Sequence, residues 1–277
     1  MKIIEKKVLA DYQDTKITKL VILSPDIARK ALPGQFVVVM AKEESERIPL
    51  TVVESQDEKI TLILQELGFS TKLLGSFNVK DSLYALAGPL GHPTEIKNYG
   101  HIILVGGGVG IAEIFPVAKA LKKAGNNVIS IIGARTKDLL ILENELKENS
   151  DKLYICTDDG SYGTKAFTTD LLKQLLNDTR HPMPYTLVYA VGPIPMMKKV
   201  TEVTKEFSVK TMVSLNALMV DGTGMCGCCR ATVGGEVKFS CIDGPEFDAH
   251  LVDWEELEKR NRIYIDKEKH ICNLNKL

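Results

Sequence analysis

Four cysteines fall within sixteen residues, at Cys226, Cys228, Cys229 and Cys241, preceded by Asp221-Gly222-Thr223-Gly224-Met225. Clustered thiols in a chain without a disulfide framework favour metal binding. Cys226 and Cys229 form C-x2-C, and Cys241 follows after eleven residues. Three thiolates are one short of a four-ligand site. Plant-type two-iron sites space their first three ligands C-x4-C-x2-C, and a four-residue gap ahead of Cys226 lands on Asp221. A carboxylate ligates ferric iron, so the expected metal ligands are Asp221, Cys226, Cys229 and Cys241. Two rivals stand beside this set. Cys228 could be the fourth ligand, although adjacent thiolates rarely both point at one cluster. The site could also hold structural zinc, although this spacing is not a standard zinc set. Cys156 and Cys272 read as a buried apolar residue and a tail thiol.

A second segment suggests dinucleotide chemistry. Gly106-Gly107-Gly108-Val109-Gly110 lies between an apolar run and a helical pattern. Backbone N–H groups and a helix N-terminus hold a pyrophosphate in such a place. The G-x-G-x-x-G pattern is incomplete, because Ile111 takes the third glycine's place, and the acidic residue expected about 20 positions on is missing. The next strand leads instead to Gly133-Ala134-Arg135. A glycine-rich turn without a ligand is the plain alternative. Asp158 and Gly192 fall at the ends of later strands, on the edge where open α/β sheets bind ligands. Arg135 could attract a 2′-phosphate or be a solvated charge, so NADH and NADPH both remain open.

A third set is suited to flavin. Arg47-Ile48-Pro49-Leu50-Thr51 opens a strand, where the Thr51 hydroxyl could meet a flavin ring edge and Arg47 its phosphates. Ser70 and Thr71 begin a helix-like stretch whose N-terminus could hold a pyrophosphate. An exposed Arg and a helix-capping Ser70 or Thr71 explain the same residues.

The elements that must position these groups fall into three parts. Residues 1–97 show short apolar runs, at Phe36–Met40, Leu50–Glu54 and Lys59–Gln65, separated by turn residues as in a small antiparallel barrel. Ala87–Pro93 reads as the exit from it. Residues 98–212 alternate strands (His101–Val105, Asn127–Ile132, Lys152–Cys156, Thr186–Val191) with helices, which predicts a doubly wound parallel sheet. Residues 213–277 are rich in Gly and Cys and end in a charged tail. The fold class expected is β plus α/β: a flavin-binding β-barrel, a nucleotide-binding domain and a small iron–sulfur lobe. The 277 residues are 44% hydrophobic and 26% charged, with a formal net charge of -1. That balance leaves no footprint for nucleic acid. No apolar run reaches the roughly 18 residues of a membrane span. The start, Met1–Lys7, is too charged for a secretory signal, so a cytoplasmic location is the expectation.

Taken in order, Arg-x-Pro-Leu-Thr, Gly-Pro-Leu-Gly, Gly-Gly-Gly-Val-Gly, Gly-Pro-x-Pro-Met and the cysteine segment resemble the flavin and iron–sulfur electron-transfer subunits related to ferredoxin–NADP reductase. The resemblance covers nearly the whole chain. It implies an oxidoreductase subunit with FAD, a [2Fe–2S] cluster and NAD(H) or NADP(H), working with a larger flavin and iron–sulfur partner subunit. It places Pro49, Leu50 and Thr51 at the flavin ring and Ser70 and Thr71 at its phosphates. Gly108, Val109 and Gly110 face the dinucleotide, and Gly192 and Met196 match a later nucleotide-side motif. Asp221, where the dihydroorotate-type subunits have cysteine, resembles the branch of NADH-dependent ferredoxin:NADP oxidoreductase, which implies ferredoxin as a further partner and electron bifurcation. Subunits of dihydroorotate dehydrogenase B or sulfide dehydrogenase are the alternative. A docking subunit with a zinc-stapled tail is the reading outside enzymes.

Overall fold

Alternating burial along short strands builds the first of two units. It comprises Met1–Pro93, Asn216–Pro245 and Asp253–Leu277, and the second comprises Thr94–Leu215 and Glu246–Val252. The computed structural model describes residues 1–178 and 185–274. In the first unit β1 (Ile3–Tyr12), β2 (Thr15–Leu23), helix α1 (Pro25–Ala28), β3 (Phe36–Met40), β4 (Arg47–Thr51), β5 (Glu54–Gln56), β6 (Lys59–Gln65), helix α2 (Phe69–Ser76) and β7 (Ala85–Leu90) follow in order. Among the described residues they form two antiparallel sheets, β1-β2-β6-β5 and β4-β3-β7. Leu20, Ile22, Val37, Val39, Leu62, Leu64 and Leu74 close a common core between them. β4 starts earlier than its apolar run suggested, and Val52 and Val53 leave the ladder before β5. Ala85–Leu90 is a strand, not an exit loop. Its Pro89 is tolerated because β7 is an edge strand with an irregular register against β3.

The second unit runs β8 (His101–Gly107), α3 (Gly110–Lys123), β9 (Asn127–Ala134), α4 (Glu143–Glu148), β10 (Lys152–Thr157), β11 (Thr164–Lys165), α5 (Thr168–Asn177), β12 (Leu187–Val191), α6 (Ile194–Glu206) and β13 (Thr211–Ser214). β8, β9, β10, β12 and β13 pair in parallel, and their near-continuous burial is that of strands covered on both faces. The strand order β11-β10-β9-β8-β12-β13-β16 reverses direction between β8 and β12. That reversal leaves a crevice at the carboxyl ends of these two strands.

Beyond β13, β14 (Arg230–Val233) and β15 (Glu236–Phe239) form a hairpin behind the cysteines. β16 (Glu246–Asp248) returns to the second unit and pairs antiparallel with β13. It buries Phe247 and covers what would otherwise be an open sheet edge. Residues 211–214 and 246–252 therefore belong with the parallel sheet, a division that glycine and cysteine content does not reveal. The charged tail forms α7 (Trp254–Asn261) and α8 (Ile265–Leu274). The Asp253 carboxylate caps α7 by accepting from the Glu256 N–H at 3.0 Å. Among the described residues no helix is long and apolar enough to cross a membrane.

Candidate functional site

The cysteine loop is shaped by its own carboxylate. Asp221 accepts from the Thr223 N–H at 2.6 Å and from the Cys226 N–H at 2.8 Å. Those backbone donors hold its carboxyl below the usual range, so it is an anion at neutral pH. Gly222, Gly224 and Gly227 have φ of 77°, 86° and 66°, left-handed values that let the loop double back within six residues. Cys229 and Cys241 are buried with their sulfurs 3.2 Å apart. Burial, then the hydrogen bond with Cys229, pushes the Cys241 thiol up to about 12. Cys226 is exposed. Burial first and its hydrogen bond with Cys226 second raise the Cys228 thiol.

Among the described residues no three Cys, His, Asp or Glu side chains converge on one ion position. The thiols come in pairs, Cys229 with Cys241 and Cys226 with Cys228, and Asp221 meets the backbone N–H of Cys226. A two-iron cluster takes four anionic ligands in all. The soft thiols and the ionised carboxylate fit that group. So do two orphaned polar groups beside them, the hydroxyl of Ser240 and Nε of Arg260, which are buried without a hydrogen-bond partner.

In the first unit, Arg47, Pro49, Leu50 and Thr51 lie along β4, with Arg47 exposed and the other three half-buried. β4 is an edge strand, so its free side offers backbone groups to a planar ring. The helix cap is Gly68, not Ser70 or Thr71. The Thr71 hydroxyl accepts from the N–H groups of Leu67 and Gly68, both at 3.0 Å. Ser70 is buried and donates to the Glu46 carboxylate. A Cβ added at Gly68 would meet nothing within 4 Å, so the helix start borders open space. The ring side of a flavin fits this strand. The phosphate side fits once Glu46 yields the Ser70 hydroxyl.

In the second unit the glycines work by close approach. A Cβ at Gly110 would lie 2.5 Å from the Val191 carbonyl, which locks the start of α3 onto the end of β12. A Cβ at Gly107 would lie 2.4 Å from Sδ of Met196, and one at Gly192 would lie 2.7 Å from its Cε. Met196 thus covers both strand ends. At Gly108 the same test meets nothing within 4 Å, so the backbone beside Val109 is open to a ligand. Gly133 serves packing, since its Cβ would strike Thr168 at 2.4 Å. Arg135 and Asp158 are both exposed, at the ends of β9 and β10. Burial and Asp159 push the Asp158 carboxyl up, and Arg135 opposes them. Spacing missed Glu46, Ser240 and Arg260. Only Ser240, next to Cys241, carried a visible signal.

Residues 216–253 match the model of the iron–sulfur cluster binding domain of dihydroorotate dehydrogenase B, and residues 104–202 that of the oxidoreductase NAD-binding domain. A homolog of the dihydroorotate dehydrogenase B (NAD(+)) electron transfer subunit from Thermotoga maritima is 49% identical over 250 residues, 90% of this chain and 87% of that protein. The chain belongs to this family of electron-transfer subunits. The electron transfer subunit from Geobacillus sp. is 34% identical over 78% of this chain and 85% of its own length. A solved structure of NADH-dependent reduced ferredoxin-NADP oxidoreductase, described for flavin-based electron bifurcation, shares 46% identity at a TM-score of 0.89, covering 97% of this chain and 95% of that one. Ferredoxin-NADP+ reductase from Plasmodium falciparum has the same fold at 15% identity, with a TM-score of 0.58 over 74% of this chain and 88% of its own. This electron-transfer subunit is thus an oxidoreductase component with antiparallel sheets, a parallel α/β sheet and an iron–sulfur segment.

Proposed function

We propose that the chain moves electrons between NAD(P)H, FAD and a [2Fe–2S] cluster within an NADH-dependent ferredoxin:NADP oxidoreductase complex. The observation that carries this reading is the cysteine loop, in which an ionised Asp221 takes the place spacing assigns to a first cysteine. The bound groups supply hydride acceptance at a flavin and one-electron uptake at iron. The protein's residues position them. Asp221, Cys226, Cys229 and Cys241 hold the cluster, and Cys228 does not. Thr51 would hydrogen-bond the flavin edge beside Pro49 and Leu50, and Arg47, Ser70 and Thr71 would hold its phosphates. Gly108, Val109 and Gly110 would admit the dinucleotide at the head of α3, with Arg135 and Asp158 at the neighbouring ends of β9 and β10, Gly192 and Met196 at the end of β12, and Gly133 keeping β9 packed beneath them. Met1–Pro93 carries the flavin part of this reading, Thr94–Leu215 with Glu246–Val252 the nucleotide part, and Asn216–Pro245 with Asp253–Leu277 the cluster part, in place of the divisions at 97 and 212 that the sequence suggested.

A single flavin site and a single cluster segment need an onward acceptor, so a larger subunit with its own flavin and clusters is the expected partner, with ferredoxin reached through it. A dihydroorotate dehydrogenase subunit is the second reading, favoured by the family model over residues 216–253. The subunit that co-purifies with this chain separates the two. The native complex should contain iron and flavin, with visible bands bleached by NADH or NADPH. Cys228→Ala should keep the cluster spectrum, and Asp221→Ala should alter or abolish it. A colourless chain with stoichiometric zinc, or the reverse behaviour of the two variants, would overturn the assignment.

A further inference from the structure

Two polar groups beside the cysteine segment are buried without partners. Ser240 is fully buried, and its hydroxyl makes no hydrogen bond. Its N–H donates to the Cys229 carbonyl at 3.0 Å, and its carbonyl leads directly to Cys241. Arg260 reaches the same segment from α7. Its Nη2 donates to the Cys228 carbonyl at 3.2 Å, while Nε is buried and unpaired. Among the described residues no carboxylate lies within ion-pair distance of this guanidinium.

The placement is braced. The Glu256 carboxylate accepts from the Thr232 N–H at 3.1 Å, the Asn261 amide donates to the Asn216 carbonyl at 2.9 Å, and its oxygen accepts from the Leu218 N–H at 3.3 Å. One face of α7 is therefore tied to both ends of the cysteine segment. A half-buried guanidinium whose Nε has no partner and a buried hydroxyl without one are costly, unless an anion sits where they point. A cluster held by three thiolates and a carboxylate is an anion, and it is one charge more negative when reduced.

We propose that Arg260 and Ser240 are the counter-charge and hydrogen-bond donors of the cysteine-held cluster, and that they stabilise its reduced state. The proposal rests on the cluster reading above. Both act as positioning and tuning residues, since outer donors around metal ligands set potential and orientation. Arg260 also stands in the last turn of α7, where a cation suits the helix C-terminus. That purely structural role would move stability and iron content and leave the potential alone.

The test is a redox titration of the native complex, followed by the cluster's paramagnetic resonance signal, with iron content measured alongside. Arg260→Met should shift the one-electron equilibrium about tenfold toward the oxidised cluster, about 59 mV lower in midpoint. Arg260→Lys should recover most of the shift, and Ser240→Ala should move the midpoint in the same direction by less. Unchanged midpoints in all three variants, with iron retained, would overturn the proposal and leave the cluster reading intact. If Arg260→Met loses its iron, wild-type midpoints in both Arg260→Lys and Ser240→Ala overturn it equally. An iron-free native complex would defeat the cluster reading itself.

Discussion

Glu246 shows how one side chain ties distant parts of the second unit together. The Tyr189 hydroxyl donates to it at 2.8 Å, and the Thr94 hydroxyl donates to the same oxygen. Burial pushes the Glu246 carboxyl above its ordinary range, while the two donors oppose the shift. Burial first, then the Glu246 charge, raises Tyr189 as well. The folded state therefore holds the Glu246 proton more tightly than the unfolded chain does. Stability contributed by the protonated carboxyl is complete below the ordinary carboxylate range and is lost as pH rises through the raised value. Glu246→Gln keeps an acceptor oxygen and removes the titration, so denaturation midpoints of this variant should stay flat across that window while those of the parent fall. Tyr189→Phe should cost about 1–3 kcal/mol at any pH in the range, because it strips a donor from a buried acceptor. Equal pH slopes for Glu246→Gln and the parent would show that another group carries the dependence.

The junction of β8, α3 and β12, inside the segment that matches the NAD-binding domain, is the element proposed to admit the dinucleotide. Its glycines are needed for contact rather than for flexibility alone: Gly110 lets the first turn of α3 rest against the backbone of Val191 and Gly192. Backbone cannot yield as a side chain can. Gly110→Ala should therefore cost about 1–3 kcal/mol of stability, as overpacking does. It should also weaken NAD+ binding, measured by calorimetry on the complex. Gly108→Ala meets open space but puts an alanine at φ of 57°, so it should cost about 1–2 kcal/mol in backbone strain and also reduce binding, because the added methyl would stand where a pyrophosphate approaches. Unchanged NAD+ affinity in Gly108→Ala would show that no dinucleotide approaches this backbone.

Over the whole molecule, the cysteine segment and the barrel strands share one unit, and the parallel sheet belongs to the other. Iron removal should follow that division. Chelation should lower the melting temperature of the unit containing the barrel, because ligand-site binding energy is also folding energy. It should leave the affinity for nicotinamide dinucleotides close to that of the iron-replete protein. Calorimetric transitions that shift together on chelation would contradict independent stability of the two units.

Periodicity and spacing were enough to read the parallel sheet, most of the barrel strands and the cysteine segment. Alternation and buried apolar runs are local consequences of which face a residue must hide, and ligand spacing is local by nature. The same local logic failed at β7, where Gly88 and Pro89 look like a loop, and at β16, whose three residues make a strand only because β13 offers a free edge. Gly110 could be singled out by type, but its purpose lies in a chain reversal eighty residues away, at Val191. The approach of Arg260 to Cys228 was invisible in sequence for the same reason. Nothing in a Lys-Arg pair near the end of a charged helix tells which loop that helix will lie against. Cysteine spacing determined what chemistry this chain can hold. Which uncharged and charged neighbours surround that chemistry was decided by packing between segments far apart in the chain, and packing is settled only when the whole core closes.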